Sequence, residues 1–201
     1  MKNFDNSYLS ESIKLIAGVD EAGRGPLAGP VVSASVIFAP DVYIDGVNDS
    51  KKLSEAEREE LLPQILRRAV SYSVAAVSHG KIDEINILQA SLLSMKVAVS
   101  RLHIQPQLIL IDGNKTFEYS VPAIAVVKGD SKSFSIAAAS IIAKVARDRI
   151  MKRLDKYFPD YNWQKNKGYP TKEHIEAVKT YGASSLHRKS FLKNILVYDK
   201  V

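Results

Sequence analysis

Two short runs rich in valine and isoleucine, Ile13 to Asp20 and Val31 to Phe38, flank a stretch from Gly23 to Pro30 that is punctuated by glycine and proline. β-Branched residues favour extended chain, whereas glycine and proline turn it, so the pattern predicts two adjacent antiparallel strands. Ser54 with Glu57 three positions later, and Leu53 ahead of it, forms a capping-box signature. It predicts a helix through about Ala69, which Pro63 should kink or shorten. Val70 to Val77 reads as a third strand. Apolar positions at Ile85, Leu88, Leu92, Met95 and Val99 recur at helical spacing, predicting a second helix that ends near Leu102, before Pro106. Leu108 to Asp112 and Ala123 to Val127 supply two more strands. From Ser133 to about Phe158 the pattern is helical, with small residues (SIAAAS) at its start and a charged half behind them, so a buried front and a solvated back are expected. Thr171 should cap a short helix that Gly182 stops near Tyr181, and the tail SFLKNILVY should add one more turn. This order of strands and helices predicts an α/β architecture around a mixed sheet.

Composition narrows the chemistry. The 201 residues contain no internal repeat, low-complexity stretch or flexible linker, and their length favours one domain. Cysteine is absent, which excludes disulfides, thiolate metal sites and cysteine nucleophiles, and leaves oxygen atoms or four histidines to hold any metal. A formal net charge of +6 fits a polyanionic partner, because lysine and arginine displace the counterions condensed on phosphates. The first dozen residues are polar, and no apolar run reaches membrane-spanning length, so a soluble, cytoplasmic protein is expected.

Asp20 and Glu21 fall where the first strand gives way to the glycine-rich turn, and Asp112 ends the fourth strand before Gly113. Acids at the ends of neighbouring strands converge despite their distance in sequence. Asp130, in the loop KGDSKS, follows 18 residues after Asp112 and can join them. Carboxylates crowded together repel unless a cation neutralises them, and hard divalent ions do so while serving phosphodiester hydrolysis. Plainer roles fit the same residues: a turn-stabilising role for Asp112, and a favourable charge at a helix start for Asp130. Asp148 is better read as the surface ion-pair partner of Lys144, four residues earlier, than as a ligand.

Longer motifs decide among these readings. The segment GVDEAGRGPLAGPV, Gly18 to Val31, closely resembles the signature of the ribonuclease HII family. DSKKLS (Asp49 to Ser54), IDGN (Ile111 to Asn114), KGDSKSFSIAAASIIAKVARDR (Lys128 to Arg149), KGYPT (Lys167 to Thr171) and HRKSF (His187 to Phe191) are similar to that family in the same order, over nearly the whole chain. The presence of Arg24 and the short lead before the first strand resemble type HII rather than type HIII, and a bacterial stand-alone enzyme rather than the multi-subunit eukaryotic form.

The resemblance implies a ribonuclease H-like fold: a mixed five-stranded sheet flanked by helices, with residues 160–201 as a helical extension that contacts substrate. It implies Asp20, Glu21, Asp112 and Asp130 as catalytic metal ligands for Mg2+ or Mn2+, with two ions in the substrate complex. Gly23, Arg24 and Gly25 would read a ribose 2′-hydroxyl, and Tyr169 would stack on the next sugar. Asn48, Lys51 and Lys52 would lie near the substrate backbone. The expected reaction is hydrolysis 5′ to a ribonucleotide in RNA–DNA hybrids and in DNA with embedded ribonucleotides, a step of ribonucleotide excision repair and DNA replication. Two rivals are a different nuclease of the same fold and a non-catalytic module that holds hybrid duplexes. A monomer is expected. His187 and Arg188 are read as bracing the C-terminal segment, Tyr161 and Trp163 as packing residues. The segment ILVYDKV carries no clear sliding-clamp motif.

Overall fold

The structure is a computed structural model and describes residues 1–193 and 195. Five strands, β1 (Ile16–Ala22), β2 (Val31–Ile37), β3 (Ser71–Val77), β4 (Leu108–Asp112) and β5 (Ala123–Val126), form one sheet in the order β3-β2-β1-β4-β5. The pairs β1–β2 and β2–β3 are antiparallel, whereas β1–β4 and β4–β5 are parallel. The sheet is mixed, as the patterning predicts.

Helix α4 (Phe134–Asp155) lies across one face of the sheet, close to β1 and β2. Gly18 permits that closeness, since a Cβ built on it would come within 2.2 Å of the Ser135 carbonyl carbon. The preceding α1 (Lys2–Asn6) ties down the start of α4: the Asp5 carboxylate accepts from the backbone and side chain of Ser135, both at 2.8 Å. Helix α2 (Glu55–Arg68) packs beside α4 and begins with the predicted capping box of Ser54 and Glu57. Pro63 neither shortens nor ends it; the residue lies on the exposed side, where water can serve the carbonyl that proline leaves unpaired.

Helix α3 (His79–Ser100) covers the opposite face. It begins earlier than the apolar spacing predicts, because two helical pieces are joined at Asn86, whose φ of 65° breaks the period. Short helices α5 (Trp163–Asn166), α6 (Lys172–Tyr181) and α7 (Lys189–Leu192) follow α4. They enclose an apolar cluster that joins Trp163, Tyr161, Val178 and Leu192 to Leu27 and Ala28 of the turn after β1. Thr171 caps α6 and Gly182 ends it, as expected. The extra turn expected for SFLKNILVY is present as α7; Asn194 and residues 196–201, which include most of ILVYDKV, lie outside the described residues. Among the described residues no helix is long and apolar enough to cross a membrane.

Candidate active site

Side chains alternate across a strand, so Gly18 and Asp20 face α4 while Ala17 and Val19 face α3. Val19 pairs with Ile111 in the parallel β1–β4 ladder. The next residues on each strand, Asp20 and Asp112, therefore project side by side on the α4 face. Asp112 also builds the turn that brings the third acid: its Oδ1 accepts from the backbone N–H of Gly129 at 2.7 Å and of Asp130 at 3.4 Å. Glycine is needed at 129, where a Cβ would lie 2.6 Å from Ile136 and 3.1 Å from that carboxylate oxygen. Asp20, Asp112 and Asp130 each offer one oxygen within 4.8 Å of the others.

Burial makes this grouping costly. Asp20 is pushed well above the ordinary carboxylate range, chiefly by desolvation and then by the charges of Glu21 and Asp112. Desolvation and the Asp130 charge likewise raise Asp112. Lys51 offsets part of the repulsion, with its Nζ 3.4 Å from Asp130 Oδ2. Burial pulls this ammonium down, but the charges of Asp130 and Asp20 outweigh it and hold the group above its usual value. Glu21 stands outside the three-acid group. Its Oε1 pairs with Arg24 at 3.5 Å, while its Oε2 is buried with no hydrogen-bond partner among the described residues, and desolvation raises it despite Arg24. An all-oxygen set of buried and half-buried acids, with the Glu21 Oε2 unpartnered among the described residues, fits a hard divalent cation.

The acids open into a cleft of about 360 Å³ lined by Asp20, Glu21, Asp112, Lys51, Ser140, Lys144 and Tyr169, together with Gly23, Arg24 and Gly25. A larger groove of about 450 Å³ between Leu92 and Phe117 has a mostly apolar lining and holds no acid. The Tyr169 ring is exposed beside Gly25, and Lys144 and Arg147 each lie 5.7 Å from its centre. The two glycines of the turn differ. Gly23 has a φ of 101° and no room for a Cβ, which would lie 2.1 Å from Arg147 Nε; at Gly25 an added Cβ would meet Tyr169 at an ordinary 3.7 Å. Asn48 and Lys52 are exposed on the loop that carries Lys51 and do not line the cleft.

The charged half of α4 corrects the expectation of a solvated back. Lys144 pairs with Asp148 at 2.7 Å as expected, yet Asp148 is buried and also meets Arg58 at 3.8 Å. Arg147 is fully buried and donates to the carbonyls of Pro30, Lys167 and Ala28. Ser140, Lys144 and Arg147 recur at helical spacing along one face, the signal by which sequence reasoning could have placed α4 in the cleft wall. Tyr161, Trp163 and His187 pack internally, as expected, and Arg188 braces the turn after β1.

The sequence model for Ribonuclease HII matches residues 17–194. The chain belongs to the ribonuclease HII family. A Ribonuclease HII of Caldicellulosiruptor saccharolyticus is 50% identical over 192 residues, covering 96% of this chain and 94% of that one. Among solved structures, the ribonuclease H2 of Pyrococcus horikoshii superposes with a TM-score of 0.74 at 31% identity, over 90% of this chain and 96% of its own. The RNase HII solved as a PCNA:RNase HII complex from Archaeoglobus fulgidus gives 0.71 at 30% identity, over 87% and 94%. Family membership makes the chain a metal-dependent nuclease, a hydrolase with ribonuclease H activity on RNA paired with DNA.

Proposed function

We propose that the enzyme incises on the 5′ side of a ribonucleotide, both in RNA–DNA hybrids and in DNA with embedded ribonucleotides, and leaves a 3′-hydroxyl and a 5′-phosphate. The observation that carries this reading is the meeting of Asp20, Asp112 and Asp130 within 4.8 Å, where Asp20 and Asp112 line a cleft together with the Gly23 to Gly25 turn and Tyr169. Asp20, Asp112 and Asp130 hold magnesium or manganese, with the free Oε2 of Glu21 as the fourth donor. Two such ions supply Lewis acidity toward the phosphodiester and a water that is nucleophilic at neutral pH. The chain supplies position and selectivity. Gly25 leaves the backbone open to a sugar, Tyr169 stacks on the next sugar, and the loop with Asn48, Lys51 and Lys52 meets backbone phosphates. The helices from Trp163 onward act as one substrate-contacting extension of a single catalytic domain. A site that hydrogen-bonds one hydroxyl loses roughly 1–3 kcal/mol when the hydroxyl is missing, so plain DNA is discriminated against beyond what phosphate contacts allow.

A duplex with one embedded ribonucleotide, incubated with and without magnesium beside an all-DNA control, tests the proposal. Incision 5′ to the ribonucleotide only when magnesium is present is expected. Incision of the all-DNA duplex points to a nuclease of other specificity, and salt-sensitive binding without turnover to a holding module. Gly25→Ala, which the fold has room for, should melt like the parent protein yet cut the ribonucleotide about tenfold more slowly, the worth of about one hydrogen bond.

A further inference from the structure

A buried cation ordinarily sits against an anion, because leaving water costs several kcal/mol that a counter-charge offsets. Arg188 is fully buried, and among the described residues no carboxylate lies within ion-pair distance of it. Its guanidinium instead donates to three carbonyls: Gly23 at 2.7 Å, Arg24 at 2.9 Å and Gly29 at 3.0 Å. Its own backbone N–H donates to Leu27 at 2.7 Å, and its side chain lies 5.1 Å from the Phe191 ring centre. Arginine from the far end of the chain thus grips the turn after β1 by its main chain.

The carbonyl and N–H of one trans peptide point in opposite directions. With the carbonyls of Gly23 and Arg24 drawn inward, the N–H groups of Arg24 and Gly25 face the other way. Among the described residues nothing accepts from either, and both residues line the cleft beside Asp20 and Tyr169. Arg147 closes the turn from behind, filling the space where Gly23 would carry a Cβ and holding Pro30 and Ala28.

We propose that Arg188 is a positioning residue for ribonucleotide selectivity: by holding the Gly23 and Arg24 carbonyls inside the protein, it aims the amides of Arg24 and Gly25 into the cleft as paired donors for a sugar hydroxyl. The inference rests on the reading of that turn as the hydroxyl receptor. Lysine keeps the charge of arginine but not its planar fork, and so cannot hold both carbonyls in the same orientation.

The test measures affinity for a duplex with one ribonucleotide and for its all-DNA counterpart, both with Ca2+, for the parent protein, Arg188→Lys and Gly25→Ala. Both variants should bind plain DNA within about twofold of the parent and lose about tenfold in preference for the ribonucleotide, the worth of one hydrogen bond. Preference retained by Arg188→Lys but lost by Gly25→Ala overturns the positioning role and leaves the receptor reading standing. Preference retained by both overturns the receptor reading as well. Equal weakening toward both duplexes reduces Arg188 to a structural brace and also refutes the proposal. Should Arg188→Lys fail to fold, amide resonances of the parent protein decide: those of Arg24 and Gly25 should shift with the ribonucleotide duplex and not with plain DNA, and equal shifts with both overturn it.

Discussion

Charge is buried on both sides of the turn from Gly23 to Gly25, on opposite plans. Before the turn, Asp20, Asp112 and Asp130 crowd charges of one sign; burial and then that crowding raise Asp20 and Asp112, and Lys51 offsets part of the repulsion. Behind the turn, Arg147 and Arg188 are buried with no carboxylate within ion-pair distance among the described residues, yet each donates to three carbonyls. The acids remain short of positive charge and are therefore receptive to a cation. The guanidinium groups are supplied from within and are therefore rigid. Receptivity suits chemistry, and rigidity suits recognition of one sugar atom.

The largest contrast should come from taking one charge out of each region. Asp112→Asn is expected to slow cleavage by about 10³-fold, since metal ligation contributes several kcal/mol of transition-state stabilisation, while duplex affinity changes little. The same substitution should raise the metal-free melting temperature, because it relieves repulsion. Equal loss of binding and cleavage with the fold intact would count against the ligand role. Arg147→Met should do the reverse to stability, costing about 3 kcal/mol in urea unfolding as the carbonyls of Ala28, Pro30 and Lys167 lose their donor.

Acidification should separate the regions by sign. His174 accepts from Trp163 Nε1 at 3.1 Å, meets His187 at 3.1 Å, and reaches the Tyr169 carbonyl through Nδ1 at 2.9 Å. Burial, reinforced by His174, pushes His187 down to about 4, and burial also lowers His174. An imidazole depressed in the folded state binds its proton first in the unfolded chain. Its contribution is full above pH 6.5 and is lost as pH falls toward 4, by about 3 kcal/mol. The raised carboxylates act oppositely: they take up protons in the folded state first, so their repulsion eases as pH falls. Urea unfolding at several pH values, with His187→Gln to remove the larger imidazole contribution, checks both signs. The smallest effect is expected far from either region, where Ser54→Ala should cost about 1 kcal/mol by removing the α2 cap and leave the rate of cleavage unchanged.

Local patterns carried most of the fold. Strands β2 to β5 fall within a residue or so of their expected bounds, because alternating or continuous β-branched runs are bounded by turns. β1 departs at both ends: the chain before Ile16 turns at Ser10 to Ile13, and pairing of Ala22 with Val32 extends the strand beyond Asp20. Helix α3 hid its first turn because Asn86 interrupts the apolar spacing and starts a second piece, its side chain accepting from Leu88 and Gln89. The acids could be nominated from strand ends, and the family motifs singled out the turn and Tyr169. Arg147 was not readable as buried, since the carbonyls that satisfy it at Ala28 and Pro30 lie 119 and 117 residues away. Arg188 could be read as a brace, but not as one aimed at Gly23 and Arg24.

Crystals grown with manganese and examined by anomalous scattering give the most direct measurement of the site. The acids should share a manganese peak contacted by carboxylate oxygens of Asp20, Asp112 and Asp130. A cleft without manganese at a saturating concentration, or a peak bound elsewhere with these three side chains still paired as they are here, would contradict the assignment.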